Sequence, residues 1–543
     1  MELLGYISDE MYVAIADAQI EFRIKDKTNY VKDAFVFKSA PSGAIYGTLP
    51  DGNYQVAISC SGYGSKITSY QKDSNLQPVQ FRLLSKKLSG YIWPKWSRAG
   101  EKAEIRFSSH EVVDASLWRL GWKAEKIREL GRFEPFAPAG DSQTLPDGDI
   151  SQSGVGWNHE RFQFPPDLDA RTLIAPEQSG LYYIQLKSLS GEIFTFPWIV
   201  APKAPVSKVA LLASNICWNA YNDWGGRSNY VAADKLPQAP AISVSQESPW
   251  FRPTGAIWWV NNEFEPLSFD RPEPINNIDL NSAITDPILK IGSEHLVGGE
   301  WRLFGWMERE GIEYDFYAEN QFDDGTLNLS DYKVLVLSTH PEYWTINMYK
   351  KLKAWVANGG RLLYLGGNGI NCSVELGDDA MKVFNMDLSD WLPHRAYSGD
   401  GALIPSRFGL RHENESSLLG VVMSFAGMGT GAPYEVLDAD HPIFSGTGLK
   451  NGDHFGFQTL AIRCPGGASG HETDKMDSKT PENTKLLARG TNGPGAGAEL
   501  VSYTTPNRGL VISVGSVNWG AGLPIDETLS KITRNMFDLA LGD

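Results

Sequence analysis

KVLVLSTHPEYWTINMYKKLKAWVANGGRLLYLGGNG, residues 333–369, decides the fold. Val334 to Leu337 is apolar at every position, which suits a strand covered on both faces. A helical pattern follows. Thr345 is placed to cap it, Met348, Leu352, Trp355 and Val356 form one apolar stripe, and Gly359-Gly360 ends it. A second apolar strand, Arg361 to Leu365, comes at once. Strand, helix and strand in this order make a parallel pair with a crossover helix, so an open α/β sheet is predicted around them. VALLAS, Val209 to Ser214, reads as a third such strand.

Upstream the texture is different. GTLPDGNYQVAIS (47–59) carries a Pro-Asp-Gly turn, then Tyr54, Val56 and Ile58 alternating with Gln55 and Ala57, the period of a half-buried strand. SGLYYIQLKSLSGEIFTFPWIVAP (179–202) reads as a hairpin, with Tyr182, Ile184 and Leu186 on one face and Ile193 to Val200 returning after the Ser-Gly turn. VAPKAPVSKV (200–209) is the clearest linker. The expected organisation is a small β-sandwich over 1–86, similar in pattern to transthyretin-like or carboxypeptidase-regulatory modules. A second β-sandwich-like module over 87–203 and an α/β domain over 204–543 follow. Between Gly131 and Pro166 runs a long irregular segment holding His159 and Glu160, read as solvated loop residues.

Composition sets the limits. At 543 residues the chain is too long for one ordinary core. A formal net charge of -16 argues against a nucleic-acid partner, which needs a basic face. Cys60, Cys217, Cys372 and Cys464 form no CxxC pair, so neither a zinc knuckle nor a disulfide scaffold is indicated. No apolar run approaches the ~20 residues of a membrane span, and MELLGYISDEM lacks the basic start of a secretory leader. A soluble cytoplasmic protein is expected.

In open α/β sheets, ligands bind beyond the carboxyl ends of the strands. Three such ends stand out: NICWNAYNDWGGRSNY after VALLAS, THPEYW after KVLVLS, and GGNG after RLLYL. Neighbouring strands would bring Tyr221, His340, Glu342 and Asn368 to one space. His340 and Glu342 are two apart, so in an extended turn both reach one ligand or metal, with Pro341 stiffening the backbone. The competing reading packs Glu342 or Tyr343 near the helix start, where a carboxylate is favourable anyway. The GGNG elbow offers Asn368 where hydrolases place a nucleophile. An amide donates well to a developing oxyanion but attacks poorly, so metal-activated water is the natural substitute. Cys372 or Cys217 acting with His340 as base is the thiol alternative, against which stands a buried inert thiol. Tyrosine as phenolate is a hard anionic ligand suited to ferric iron.

With NAYNDWGGRSNY, SFDRP, LSTHPEYW, GGRLLYLGGNG and VGSVNWG assembled, the chain resembles the large (beta) subunit family of N,N-dimethylformamidase. The resemblance implies a C-terminal domain similar to class I glutamine amidotransferases but without their cysteine. It also implies a mononuclear ferric iron, held by two tyrosines and a glutamate, that hydrolyses the C–N bond of a small linear amide. Carried over, Tyr221 and Glu342 are ligands, while His340, Asn368 and Glu435 (of GAPYEVLDADHP) are catalytic. The second tyrosine is expected near SFDRP, where Glu273 stands instead. Either Glu273 supplies the oxygen, or Tyr230 moves in, or the iron site is altered or lost. The resemblance leaves open a small partner subunit or a homo-oligomer. A ligand-binding or assembly protein on a decayed scaffold is the reading of a different kind.

Overall fold

The computed structural model describes residues 1–24, 34–73, 78–135, 145–158, 171–231, 235–242, 265–281, 294–384 and 407–542. His159 and Glu160 lie outside these residues. The whole is a β-rich, multi-sheet protein. Nearest the N-terminus, Glu2–Ser8 pairs with Ala44–Gly47 and Val79–Arg82. A four-stranded sheet built on Gln19–Ile24 and Gly52–Ser59 packs with it. Tyr54, Val56 and Ile58 are buried and join Phe22, Phe81 and Leu83 in one apolar cluster, so the period-two pattern faces this core. In the next stretch, Gly180–Ser188 pairs antiparallel with Ile193–Ala201, from Gly180 opposite Val200 to Lys187 opposite Ile193. Tyr182, Ile184 and Leu186 face a second cluster with Val113, Leu117 and Trp198.

The largest sheet has nine strands. Asp315–Ala318, Val209–Ala213, Val334–Thr339, Arg361–Gly366 and Leu510–Ser513 run parallel, in that order. Glu499–Thr504, Lys485–Gly490, Tyr434–Val436 and His454–Phe455 extend it antiparallel. Val334–Thr339 is buried at every position, as the apolar run Val334 to Leu337 leads one to expect. The helix Ile346–Ala357 begins where Thr345 Oγ1 accepts from Met348 N at 3.0 Å, a cap of about 1 kcal/mol. Met348, Leu352 and Val356 are buried in the large apolar core.

One feature of strand order positions the site. From Val209–Ala213 the chain goes to one neighbour, Asp315–Ala318, then crosses back to the other, Val334–Thr339. The order reverses there, which opens a crevice at the carboxyl ends of the two central strands. Among the described residues, no helix is long and apolar enough to cross a membrane.

Candidate active site

The segments leaving those strand ends meet. Asn215–Tyr221 is a helix whose every residue is buried, and Tyr221 closes it. The chain turns back so that Asn229 N donates to Ala220 O at 2.8 Å, which sets Tyr230 beside Tyr221. Their rings lie 4.2 Å apart, centre to centre. Both phenols approach the same carboxylate oxygen. Tyr221 Oη lies 3.2 Å and Tyr230 Oη 2.9 Å from Glu342 Oε2. Tyr343 Oη donates to Tyr230 Oη at 2.6 Å and accepts from Asn229 Nδ2 at 2.7 Å.

His340 stands next to this group. Its Nε2 is 3.5 Å from Glu342 Oε2 and 3.0 Å from Glu472 Oε2, and its Nδ1 is 3.8 Å from Cys217 Sγ. Asn368 Nδ2 donates to Glu472 Oε2 at 2.7 Å and lies 3.4 Å from His340 Nε2. Its backbone N–H donates to Asp474 Oδ1 at 2.8 Å. Asn368 Oδ1 is buried without a hydrogen-bond partner. Cys372 Sγ lies 3.4 Å from Glu342 Oε1. The structure thus brings Tyr221, His340, Glu342 and Asn368 to one place, and it is Tyr230 that joins them.

Glu472, Asp474, His471 and His295 were not singled out from the sequence. The run HETD at 471–474 has the relevant alternation, with Glu472 and Asp474 both turned to the site, but nothing in its type or spacing marks it. Gly367 lets that run approach, since a Cβ there would meet Glu472 O at 2.6 Å and Val517 N at 2.7 Å. His295 packs between rings, 4.5 Å from Tyr221, 5.0 Å from His340 and 5.3 Å from His471. Backbone strain gathers here too. Of seven non-glycine residues with positive φ among the described residues, Thr339, Asn368, Ile370 and His471 border the site.

The electrostatics are those of a buried acidic centre. Burial, then the Glu342 carboxylate, holds Tyr221 and Tyr230 well above the usual phenol range. Burial opposes charge on His340 and Glu472, yet their mutual attraction outweighs it, raising the first and lowering the second. Burial pushes Asp474 up to about 7 and Glu300, beneath the site, up to about 8. It also pulls His471 down to about 3. Two phenol oxygens and a carboxylate oxygen make a hard donor set, and a multivalent cation would reverse the cost of ionising the phenols. Tyr221, Tyr230 and Glu342 therefore fit an iron-type ion by donor chemistry.

Sequence comparison gives the family. The sequence model of the N,N-dimethylformamidase beta subunit-like family, C-terminal part, matches residues 115–533. The chain belongs to this family. Two curated relatives, the N,N-dimethylformamidase beta subunits of an Alcaligenes species and of Paracoccus aminophilus, are 26% and 25% identical over 303 residues. Each match covers 47% of this chain and 39% of the relative, so the likeness spans about two fifths of their length. Among solved structures, the N-terminal domain of mmIFT52 matches over 44% of this chain and 89% of its own, at 15% identity. Its TM-score is 0.24, too low to argue from.

Two residues put forward for the family's site lie elsewhere in the structure. Glu273 is buried against Lys95, Oε1 to Nζ 2.5 Å, a pair that joins segments 178 positions apart. The rest of SFDRP is likewise a brace. Asp270 holds Arg106 and Tyr91, and the buried Arg271 guanidinium donates to carbonyls of Trp224, Asn219 and Ser268. SFDRP therefore supports the tyrosine-bearing turn without entering it. Glu435 sits on the strand Tyr434–Val436, four strands from Arg361–Gly366. There it lines an open pocket of ≈ 440 Å³ with Lys475 and Arg489, a pocket whose lining does not include His340.

Proposed function

We propose that this protein hydrolyses the C–N bond of a small amide at a mononuclear iron held by Tyr221, Tyr230 and Glu342. The convergence of two phenols on one buried carboxylate oxygen carries the reading. Membership of the family, whose curated relatives are named dimethylformamidase subunits, supports the reaction class. An amidotransferase-like likeness of the C-terminal domain is part of the same reading, supported by its parallel strands and crossover helix. Because the relatives are named as subunits, a small partner subunit is included.

A ferric ion bound there would supply Lewis acidity, polarising the amide carbonyl and acidifying a water. The chain's own groups do the rest. His340 Nε2 carries the proton for the leaving amine, and Glu472 Oε2, 3.0 Å away, keeps the ring charged and oriented. Asn368 presents an amide beside it for the carbonyl oxygen. Asp474, through the Asn368 backbone and Tyr364 Oη, fixes the elbow. The rings of Tyr221, Tyr343 and His295 wall the site and limit water. The thiol reading fits less well. Cys217 is enclosed, and burial followed by the carboxylates of Glu342 and Glu472 pushes its thiol well up, away from a reactive thiolate.

The test is iron per chain, the visible spectrum and hydrolysis of a panel of small amides, before and after Glu342→Ala. Expected are one iron, a phenolate band and activity on the smallest amides, all lost in the variant. Full activity in metal-free protein sinks the reading.

A further inference from the structure

A second donor set meets the same carboxylate. Cys217 Sγ, a ring nitrogen of His340 and a carboxylate oxygen of Glu342 lie within 4.8 Å of one another, and all three residues are buried. The hydrolytic reading makes no use of the thiol. His340 Nε2 faces Glu472 Oε2 at 3.0 Å, which leaves Nδ1 toward Cys217 Sγ at 3.8 Å. An imidazole that gives one N–H to a carboxylate presents its other nitrogen as a ligand, the usual arrangement of metal-bound histidine. At 3.8 Å the thiol makes a poor hydrogen bond. A tetrahedral zinc, with bonds near 2.3 Å to sulfur and 2.0 Å to nitrogen, separates those atoms by roughly 3.5 Å, close to what is found. The surroundings favour a cation as well. The carboxylates of Glu342 and Glu472 both act on the Cys217 thiol.

We propose that Cys217, His340 and Glu342 form a site for a borderline-soft dication of the zinc class, distinct in ligand type from the phenol set. On uptake, bonds form from the metal to sulfur, Nδ1 and a Glu342 oxygen. The thiol proton and the Nδ1 proton leave to solvent, and no oxidation state changes. The consequence for activity rests on the hydrolytic reading above. With His340 ligated and Glu342 shared, zinc occupancy and hydrolysis exclude one another.

The experiment uses the full chain, stripped of metal and titrated with Co²⁺ as a spectroscopic substitute for zinc. A thiolate-to-cobalt charge-transfer band should grow to one equivalent, be abolished by Zn²⁺ and be missing in Cys217→Ser. It should survive in Tyr221→Phe and Tyr230→Phe. In Glu472→Gln, cobalt affinity should fall about 10- to 100-fold. A cobalt complex with no thiolate band, or a band unchanged in Cys217→Ser, overturns the proposal. Should Cys217→Ser fail to fold, X-ray absorption at the zinc edge of the unmutated protein decides. One sulfur in the shell supports the site, and nitrogen and oxygen alone overturn it. Loss of the hydrolytic reading would show as iron without a phenolate band, a result that leaves the cobalt spectrum untouched.

Discussion

Tyr230 Oη stands 2.9 Å from Glu342 Oε2 across 112 positions of chain, while Glu273, the residue where the second tyrosine was sought, is paired with Lys95. The two placements predict opposite outcomes. Tyr230→Phe should lower iron per chain and abolish most of the phenolate absorption. Glu273→Gln should leave both as they are. Metal analysis and a visible spectrum on the two variants are enough. Iron retained at full occupancy by Tyr230→Phe would remove Tyr230 from the ligand set.

Tyr343 donates to Tyr230 at 2.6 Å and is itself held by Asn229. Tyr343→Phe removes that donor while keeping the ring. The phenolate becomes more electron-rich, so its charge-transfer band should move to longer wavelength, with iron content unchanged. An unshifted band would mean that the hydrogen bond only positions the ring. The loss of one such bond costs about 1 kcal/mol, so the fold should survive.

Glu300 gives a pH dependence of stability. Burial raises its carboxyl from 4.5 to about 8 in the fold, against the hydrogen bonds from Trp218 Nε1 and Ser214 N. Between those values the unfolded chain ionises this group and the folded one does not. Its contribution is therefore fully present below about pH 4.5 and is lost as pH rises toward 8. Up to about 1.4 kcal/mol per pH unit is at stake. Denaturant melts from pH 5 to pH 8 should show the wild type weakening and Glu300→Gln flattening that slope, since the amide still accepts from Trp218. Parallel slopes would assign the dependence to another group.

The Lys95–Glu273 pair is buried on both sides, with side-chain exposures of 9% and 5%. Removing one partner strands a charge, so Lys95→Ala should cost about 3–5 kcal/mol. The double variant Lys95→Met/Glu273→Met should recover most of that loss, because two apolar side chains need no partner. Equal midpoints for single and double variants would show that packing, not charge, holds this junction.

The sequence made the scaffold legible where periodicity was strong. Val334–Thr339, its capped helix and Arg361–Gly366 follow from apolar runs and glycine punctuation. The meeting of Tyr221, His340, Glu342 and Asn368 follows from where ligands sit on such sheets. Glu472 and His295 were illegible because neither ends a strand of the parallel set. They arrive through the close approach at Gly367 and the packing of rings, which are tertiary facts. Tyr230 and Glu273 could not be separated because both lie on turns of comparable reach. The Lys95 ion pair of Glu273 and the contact of Tyr230 with Glu342, both tertiary, place the two.

Thr339 carries a φ of 47° and is β-branched, as is Ile370 at 55°, which makes these two the costliest of the left-handed residues around the centre. Such a conformation costs roughly 1–3 kcal/mol and persists only because its neighbours enforce it. Glycine at 339 would relax the backbone and release the imidazole that follows it. Heat tolerance and chemistry thus make opposed demands on this position. A lineage or a directed-evolution campaign selected for thermal robustness alone would erode the reacting groups long before it disturbed the sheet beneath them.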